Sequence, residues 1–183
     1  KPVTLDQGGY FDVTPSDRVT ALRRHTVSTL EQLGIAVEST HHEVGPSQYE
    51  VKLKYTDALT MADSLMSYRM VTRQEAERAG LLASFMPKPL DGENGSGLHL
   101  TLSLEREGQD VLAASDTELG LSPLAQHFIG GLLAHAPGYT LVTNPSVNSY
   151  KRLVSGYEAP TRCTWARSNW GDLVRVPSAF SLT

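Results

Sequence analysis

The sequence predicts an α+β fold, in which a curved antiparallel or mixed sheet carries helices packed on one face. Three segments with the length and pattern of helices predict the helical layer. Two segments in which apolar and polar residues alternate predict half-buried strands, each with one open face. The length of 183 residues suits one domain with a core of its own, so we expect a single domain over residues 1–183.

The first helix is predicted over residues 17–33. Its apolar residues fall at helical spacing: Val19, Leu22, Val27, Leu30 and Leu33. Ser16 is expected to cap its start, and Gly34 to end it. The residues from Ile35 onward are expected to be extended, up to a turn at 45–47 that contains glycine, proline and serine.

Two alternating strands are expected to carry the functional surface. They cover residues 48–55 and 98–105, and between them lie a predicted helix at 56–79, a strand at 81–86 and a glycine-rich loop at 87–97. If both alternating strands belong to one sheet, their polar side chains share an open surface. These side chains are Gln48, Glu50, His99, Thr101 and Ser103.

The last third of the chain contains a third predicted helix, which Ser122-Pro123 opens and which runs to about His135. Residues 143–160 have no clear period and several turn residues. Two final strands are predicted at 161–166 and 173–176.

Charge and composition exclude several classes of function. The net charge of −4 leaves no basic excess for a nucleic acid, and no apolar run has the length of a bilayer span. A single cysteine, Cys163, excludes an internal disulfide and suits a reducing compartment. We therefore expect a cytoplasmic protein whose partners include neither a nucleic acid nor a membrane.

Carboxylates and imidazoles concentrate on the predicted strands. His41-His42-Glu43 is followed by Glu50 and then by His99. Mg²⁺ and Mn²⁺ prefer carboxylate oxygens, and Mn²⁺ also accepts an imidazole. Spacing alone leaves two interpretations open, a divalent metal site and a solvated polar face.

Two loops are further candidates. Residues 91–97 are rich in glycine, which lets backbone amides approach an anionic ligand, although a plain hairpin loop has the same composition. The irregular stretch at 143–160 contains Arg152, which can pair with a carboxylate, and Glu158, which can accept a proton. A surface loop with scattered charges is the alternative.

Five strings in this order resemble the glutamine synthetase family, from about Gly9 to Pro177. They are His41-His42-Glu43-Val44 with Gln48-Tyr49-Glu50, Phe85-Met86-Pro87-Lys88-Pro89, Asn94-Gly95-Ser96-Gly97-Leu98-His99, Asn144-Pro145 through Arg152, and Gly156-Tyr157-Glu158-Ala159-Pro160. The resemblance implies an incomplete catalytic domain of an ATP-dependent carbon–nitrogen ligase, which joins glutamate to ammonia, or to another amine, through γ-glutamyl phosphate. It also implies Mg²⁺ or Mn²⁺ as cofactors and ring-shaped oligomers of the full-length enzyme.

The resemblance also implies a role for each matched residue. Glu43, Glu50 and His99 are expected to be metal ligands. The glutamate substrate is expected to contact Asn94, Gly95, Arg152 and Glu158. Arg152 and Glu158 are the expected catalytic residues, with Glu158 taking a proton from ammonium. The nucleotide side is expected to include Glu38, Ser103 and Arg175.

The sequence departs from the family pattern at three of its positions. Thr101 stands where the family usually has a second histidine, Trp170 where it has an arginine that meets the reacting phosphate, and Ser155 where it has a proline. Loss of such an arginine costs on the order of 10³-fold or more in rate. These changes favour either an altered amine substrate or a non-catalytic relative with a binding or structural role.

The family's Glu-x-Glu and Arg-x-Glu-x-Arg strands have no match in these 183 residues, nor does its amino-terminal domain. We therefore expect the chain to hold about half of the metal ligands and to be inactive alone. The open strand edges are expected to favour aggregation or dimerisation.

Overall fold

A computed structural model describes residues 3–12, 17–115, 117, 119–167, 169 and 171–177. It contains four helices, α1 (Asp17–Gln32), α2 (Ala58–Arg78), α3 (Pro123–Thr143) and α4 (Val147–Arg152). Its six strands are β1 (Val37–His42), β2 (Tyr49–Leu53), β3 (Glu105–Arg106), β4 (Gln109–Asp110), β5 (Arg162–Arg167) and β6 (Asp172–Val176). The α+β class is confirmed, and the strands of the described residues form three separate two-stranded sheets.

The chain divides into two compact units, Lys1–Ser96 and Gly97–Thr183. The expectation of one domain over residues 1–183 stays a prediction. Within the described part of the chain, no helix is both long enough and apolar enough to cross a bilayer.

In the first unit, α1 packs against α2 and β1. Leu30 is fully buried in α1, and Val71 and Ala76 are buried in α2. Gly34 ends α1 with a positive φ of 79°, and the N–H of Ile35 donates to the Leu30 carbonyl at 2.9 Å. This is the Schellman arrangement that glycine favours, so the predicted end of the first helix is confirmed. The predicted Ser16 cap lies outside the described residues.

The β1–β2 sheet is antiparallel, with His41 opposite Glu50. The turn predicted at 45–47 joins the two strands, and the N–H of Gln48 donates to the Gly45 carbonyl at 3.1 Å. The Asp57 side chain accepts from the N–H of Thr60 and thereby caps α2. The alternation at 48–55 and the helix at 56–79 are therefore confirmed within one or two residues.

Two predicted strands are wrong. Residues 81–86 and 98–104 lie outside the strands of the described chain, and only Glu105 of the second segment belongs to a strand. Both segments have the right side-chain pattern, but a strand also needs backbone hydrogen bonds from a neighbour. The four leucines at 98, 100, 102 and 104 are between 37% and 69% exposed.

In the second unit, α3 packs against the parallel pair β5–β6. The core consists of Leu121, Ala125, Ile129 and Val176. Ser122 caps α3 as predicted, but the predicted end near His135 is wrong, because the helix continues through Pro137 to Thr143. Proline removes a hydrogen bond to the carbonyl four residues earlier. That carbonyl, on Leu133, instead accepts from the Cys163 thiol at 3.5 Å.

Candidate metal centre

The β1–β2 pair brings three possible metal ligands together. His41 and Glu50 face each other across the two strands, and Glu43 follows His41 by two residues, which directs it to the same face of the sheet. The N–H of Glu43 donates to the Gln48 carbonyl at 2.8 Å, so the strand register continues to this residue. Ligand atoms of His41, Glu43 and Glu50 all lie within 4.8 Å of one another.

The spacing of these atoms suits a small divalent cation. Oxygen ligands of Mg²⁺ lie about 2.1 Å from the ion, so adjacent ligand atoms are about 3 Å apart and opposite ones about 4 Å. His41 Nε2 lies 3.1 Å from Glu43 Oε1. Two carboxylates with one imidazole are a donor set that Mn²⁺ accepts as well. The three side chains therefore offer donors that suit a divalent metal ion, and one pair of ligand atoms, on His41 and Glu43, lies at the spacing of adjacent ligands.

Glu43 is held in place on its other side. The Tyr10 hydroxyl donates to Glu43 Oε2 at 2.7 Å, and the N–H of Val44 donates to the same oxygen at 3.2 Å. Burial acts to raise the pKa of Glu43, but these two hydrogen bonds and the neighbouring His41 lower it below its ordinary value. The carboxylate is thus kept charged, with Oε1 directed toward His41.

The glycine-rich loop lies against the turn between β1 and β2. The Gln48 side-chain amide donates to the Gly95 carbonyl at 2.9 Å, and the N–H of Ser96 donates to the Pro87 carbonyl at 2.8 Å. A Cβ on Gly45 would stand 3.3 Å from the Asn94 carbonyl oxygen. Asn94 and Gly95, the predicted glutamate contacts, therefore belong to the same unit as the three metal-ligand candidates.

The predicted ligand His99 belongs to the second unit. It is exposed and lies in the extended segment at 98–104, together with Ser103 and Thr101. In the first unit, His41 supplies the imidazole of the group of three side chains that could hold a metal ion.

The two predicted catalytic residues are neighbours in the second unit. Arg152 ends α4 and donates to the Tyr157 carbonyl at 2.7 Å. Burial lowers the pKa of Arg152, and the negative charge of nearby Glu158 opposes that shift. Glu158 has a φ of 55°, a left-handed conformation that costs energy in a residue other than glycine.

The predicted nucleotide-side residues belong to different units: Glu38 lies in the first, and Ser103 and Arg175 lie in the second. Glu38 lies in β1 and forms an exposed ion pair with Lys52 at 2.6 Å. Arg175 lies in β6, opposite Ala166 of β5, and is exposed. Trp170 lies outside the described residues, and Ser155 is exposed in a turn.

Sequence reasoning named His41 in the candidate cluster without assigning it as a ligand, and it missed Tyr10. His41 was part of the histidine motif, and its spacing of two residues from Glu43 on a strand is the signal that could have assigned it as a ligand. Tyr10 lies 33 residues before Glu43, and no local pattern indicates their contact.

Comparison with known proteins identifies the family. A family model described as the glutamine synthetase catalytic domain matches residues 1–182. The glutamine synthetase of Halobacterium salinarum is 50% identical over 179 residues, which are 97% of this chain and 39% of the relative. That of Thermus thermophilus is 47% identical over 175 residues, 96% of this chain and 39% of the relative. The chain belongs to the glutamine synthetase family, and it spans about two fifths of the length of these relatives.

Solved structures agree on the fold. A cryo-EM structure of Plasmodium falciparum glutamine synthetase superposes with a TM-score of 0.88 at 33% identity, over 94% of this chain and 33% of that one. A complex of GmaS with ADP superposes with a TM-score of 0.85 at 37% identity, over 96% and 42%. The family resemblance carried by the five strings is confirmed.

Proposed function

We propose that this chain supplies part of the active site of an ATP-dependent ligase that joins glutamate to ammonia or another amine. The observation that carries this proposal is the grouping of His41, Glu43 and Glu50 on paired strands, in a chain that matches a glutamine synthetase catalytic domain. The whole enzyme is proposed to form ring-shaped oligomers in the cytoplasm.

Glu43 and Glu50 are the proposed ligands of a Mg²⁺ or Mn²⁺ ion, and His41 joins them. His99 is proposed to serve a second ion. When bound, such ions neutralise phosphate charge during phosphoryl transfer. The hydrogen bonds from Tyr10 and Val44 support this role for Glu43, because they keep the carboxylate ionised and oriented.

Glutamate binding is proposed to involve the Asn94-Gly95 backbone and the Arg152 guanidinium. Glycine permits the close approach of a ligand to the backbone, and the Gln48–Gly95 hydrogen bond holds this loop on the first unit. Arg152 offers two parallel donors to a substrate carboxylate. Its contact with the Tyr157 carbonyl fixes its side chain next to the segment that carries Glu158.

The proposed reaction has two steps. An oxygen of the glutamate side-chain carboxylate attacks the γ-phosphorus of ATP, and the bond to ADP breaks. The nitrogen of ammonia or an amine then attacks the acyl carbon, and phosphate leaves. Glu158 is proposed to take the proton that the nitrogen gives up; its carboxylate is exposed and can accept one.

The nucleotide is proposed to contact Glu38, Ser103 and Arg175. The solved GmaS complex contains ADP, which supports a nucleotide site in the family. At Thr101 and Trp170 the sequence departs from the family pattern, so the contacts to the transferred phosphate are proposed to differ here.

The test is phosphate release from ATP with glutamate and a panel of amines, measured on the longest natural protein that contains this sequence. Amine-dependent release, lowered by Glu158→Gln, supports the ligase. Release that no amine stimulates contradicts it.

A second candidate function is a non-catalytic relative that keeps the fold for binding. Trp170 favours it, because an indole carries no positive charge to neutralise a phosphate. Glutamate and ADP binding without any amine-dependent phosphate release supports this candidate.

A further inference from the structure

A second cluster of polar side chains lies next to the metal centre but shares none of its three ligands. It consists of Asp6, His42, Ser47 and Tyr49, and we call it the Asp6 cluster. The cluster joins the segment before α1 to both strands of the β1–β2 pair and to the turn between them.

Asp6 is the centre of the cluster. Its Oδ1 accepts from the N–H of Ser47 at 2.8 Å and lies 2.9 Å from His42 Nε2. The N–H of Gly8 donates to the same oxygen at 3.2 Å, while the Tyr49 hydroxyl donates to Oδ2. An ionised carboxylate with this many donors is held far more firmly than a surface aspartate.

The partners of Asp6 are themselves fixed. His42 Nδ1 lies 2.6 Å from the Glu43 carbonyl oxygen, so the imidazole bridges Asp6 to the backbone of the metal-ligand candidate. The Arg23 guanidinium of α1 stacks over the Tyr49 ring at 5.1 Å. The cluster is therefore supported from α1, β1 and β2 together.

The cluster fixes the course of residues 5–10. The Ser47 hydroxyl accepts from the N–H of Leu5 at 2.6 Å and from that of Asp6 at 3.0 Å. The backbone then passes so close to the strands that a Cβ on Gly8 would stand 2.7 Å from His42 Nε2. Glycine is needed at this point because the chain and the imidazole are in contact.

The segment held in this way ends at Tyr10, which contacts two residues of the candidate metal centre. The Tyr10 hydroxyl donates to Glu43 Oε2 at 2.7 Å, and its ring stacks on that of His41 with centroids 5.8 Å apart. Tyr10 is 48% exposed, so its position depends on the preceding backbone and on its contacts with Glu43 and His41 more than on burial.

We propose that Asp6 is a positioning residue for the metal centre, which acts by holding residues 5–10 so that Tyr10 orients Glu43 and His41. The proposal rests on the proposed function for the identity of the metal centre. The position of Tyr10 itself does not depend on that identity, because its contacts are with the Glu43 and His41 side chains themselves. Asp6 touches none of the three ligands, so any effect on the metal has to pass through the backbone of this segment, through His42, or through Tyr49, which precedes Glu50 in β2.

The experiment compares Asp6→Asn, Tyr10→Phe and the double variant of this chain. Two quantities are measured, Mn²⁺ affinity by electron paramagnetic resonance and the nuclear Overhauser contact between the Tyr10 and His41 rings without metal. Loss of an outer-shell contact lowers metal affinity about 10-fold to 100-fold. Asp57→Ala, which removes the cap of α2, serves as a destabilising control away from the metal centre.

We expect Asp6→Asn to remove the ring contact and to weaken Mn²⁺ binding about tenfold. The double variant should bind Mn²⁺ no more weakly than the weaker single variant, because both changes break the same connection. Asp57→Ala should leave affinity and ring contact as in the wild type. If Asp6→Asn does not fold, Ser47→Ala tests the same connection by releasing Leu5 and Asp6.

An intact ring contact and unchanged affinity in Asp6→Asn would overturn the proposal, as would losses that multiply in the double variant. A wild-type chain that binds no Mn²⁺ contradicts the metal centre of the proposed function. In that case the ring contact decides about Asp6: its loss in Asp6→Asn supports the positioning role, and its persistence overturns it.

Discussion

Residues 49–53 and 98–104 have the same alternation of apolar and polar side chains, yet only the first segment forms a strand. In β2 the backbone pairs with β1 from Val37 to His42. The second segment has no ladder among the described residues, and its leucines at 98 and 100 are 69% and 62% exposed. The difference is the presence of a hydrogen-bonded neighbour and not the side-chain pattern.

The same difference distinguishes two predicted metal ligands, Glu50 in the first segment and His99 in the second. Glu50 lies opposite His41 on a paired strand, so both side chains have a fixed spacing. His99 lies in the segment without a described ladder, and its position depends on contacts other than strand pairing. Polar side chains on a strand form a preorganised site only where the backbone that carries them is hydrogen-bonded to a neighbouring strand.

The largest predicted effect contrasts a leucine of the first unit's core with one of the exposed segment. Leu30→Ala should lower the free energy of unfolding by about 2–5 kcal/mol, because Leu30 is fully buried and its removal leaves a cavity. Leu100→Ala is the matched control and should change it by less than about 0.5 kcal/mol. Urea unfolding measures both. Equal losses would mean that the 98–104 segment is packed as a strand after all.

Acid should weaken the first unit through Asp6. Burial acts to raise the pKa of Asp6, but hydrogen bonds from Tyr49, His42, Ser47 and Gly8 lower it from 3.8 to about 2. The unfolded chain therefore binds the proton first, and stability falls as the pH drops from about 4 to about 2. Asp6→Asn should have lower stability at neutral pH and a flatter acid slope, which urea midpoints at several pH values would record. An unchanged slope would contradict the assignment.

Glu158→Gly should separate stability from proposed function in the second unit. The left-handed φ of 55° at Glu158 costs about 1 kcal/mol in a residue with a side chain, and glycine removes that cost. We expect a thermal midpoint that is raised or unchanged, together with loss of amine-dependent phosphate release. Glu158→Gln, which keeps the backbone cost, should lose activity without the gain in stability. A clear loss of stability in the glycine variant would show that the carboxylate has a structural role.

The smallest effect is expected at the exposed Lys52–Glu38 ion pair. Both side chains are about half exposed, and such pairs contribute about 0.5 kcal/mol or less. Lys52→Met should therefore match Lys54→Met, at an exposed lysine just after the same strand, in thermal unfolding. A difference above about 1 kcal/mol between the two variants' free energies of unfolding would show that the ion pair stabilises this edge of the β1–β2 sheet more than its exposure indicates.

The sequence predicted the elements whose signals are local. The alternation of β2, the helix at 56–79, the Ser122 start of α3 and the glycine that ends α1 are all short-range patterns, and the structure confirms each of them. The predicted end of the third helix near His135 was wrong, because α3 continues through Pro137 and the Leu133 carbonyl accepts from another donor. The six-residue helix α4 was missed, although Ser146 begins it with a capping box.

The contacts between distant segments could not be predicted from one sequence. Tyr10 and Asp6 reach the β1–β2 pair across more than thirty residues, and the sequence near them has no periodic or motif signal for that contact. The residue types of Glu43 and Glu50 left a metal site and a solvated polar face open, and the family resemblance then implied that both are ligands. The role of each as a ligand stays a prediction.

The central claim is that the β1–β2 pair holds a divalent metal ion between His41, Glu43 and Glu50. Calorimetric titration of this chain with Mn²⁺ tests it directly, with Glu50→Gln as the ligand variant and Glu31→Gln, on the exposed surface of α1, as the matched control. Because outer-shell losses alone cost about 10-fold to 100-fold, we expect Glu50→Gln to weaken binding about 100-fold or more and Glu31→Gln to leave it unchanged. Equal binding by the wild type and Glu50→Gln, or no saturable binding by the wild type, would contradict the claim.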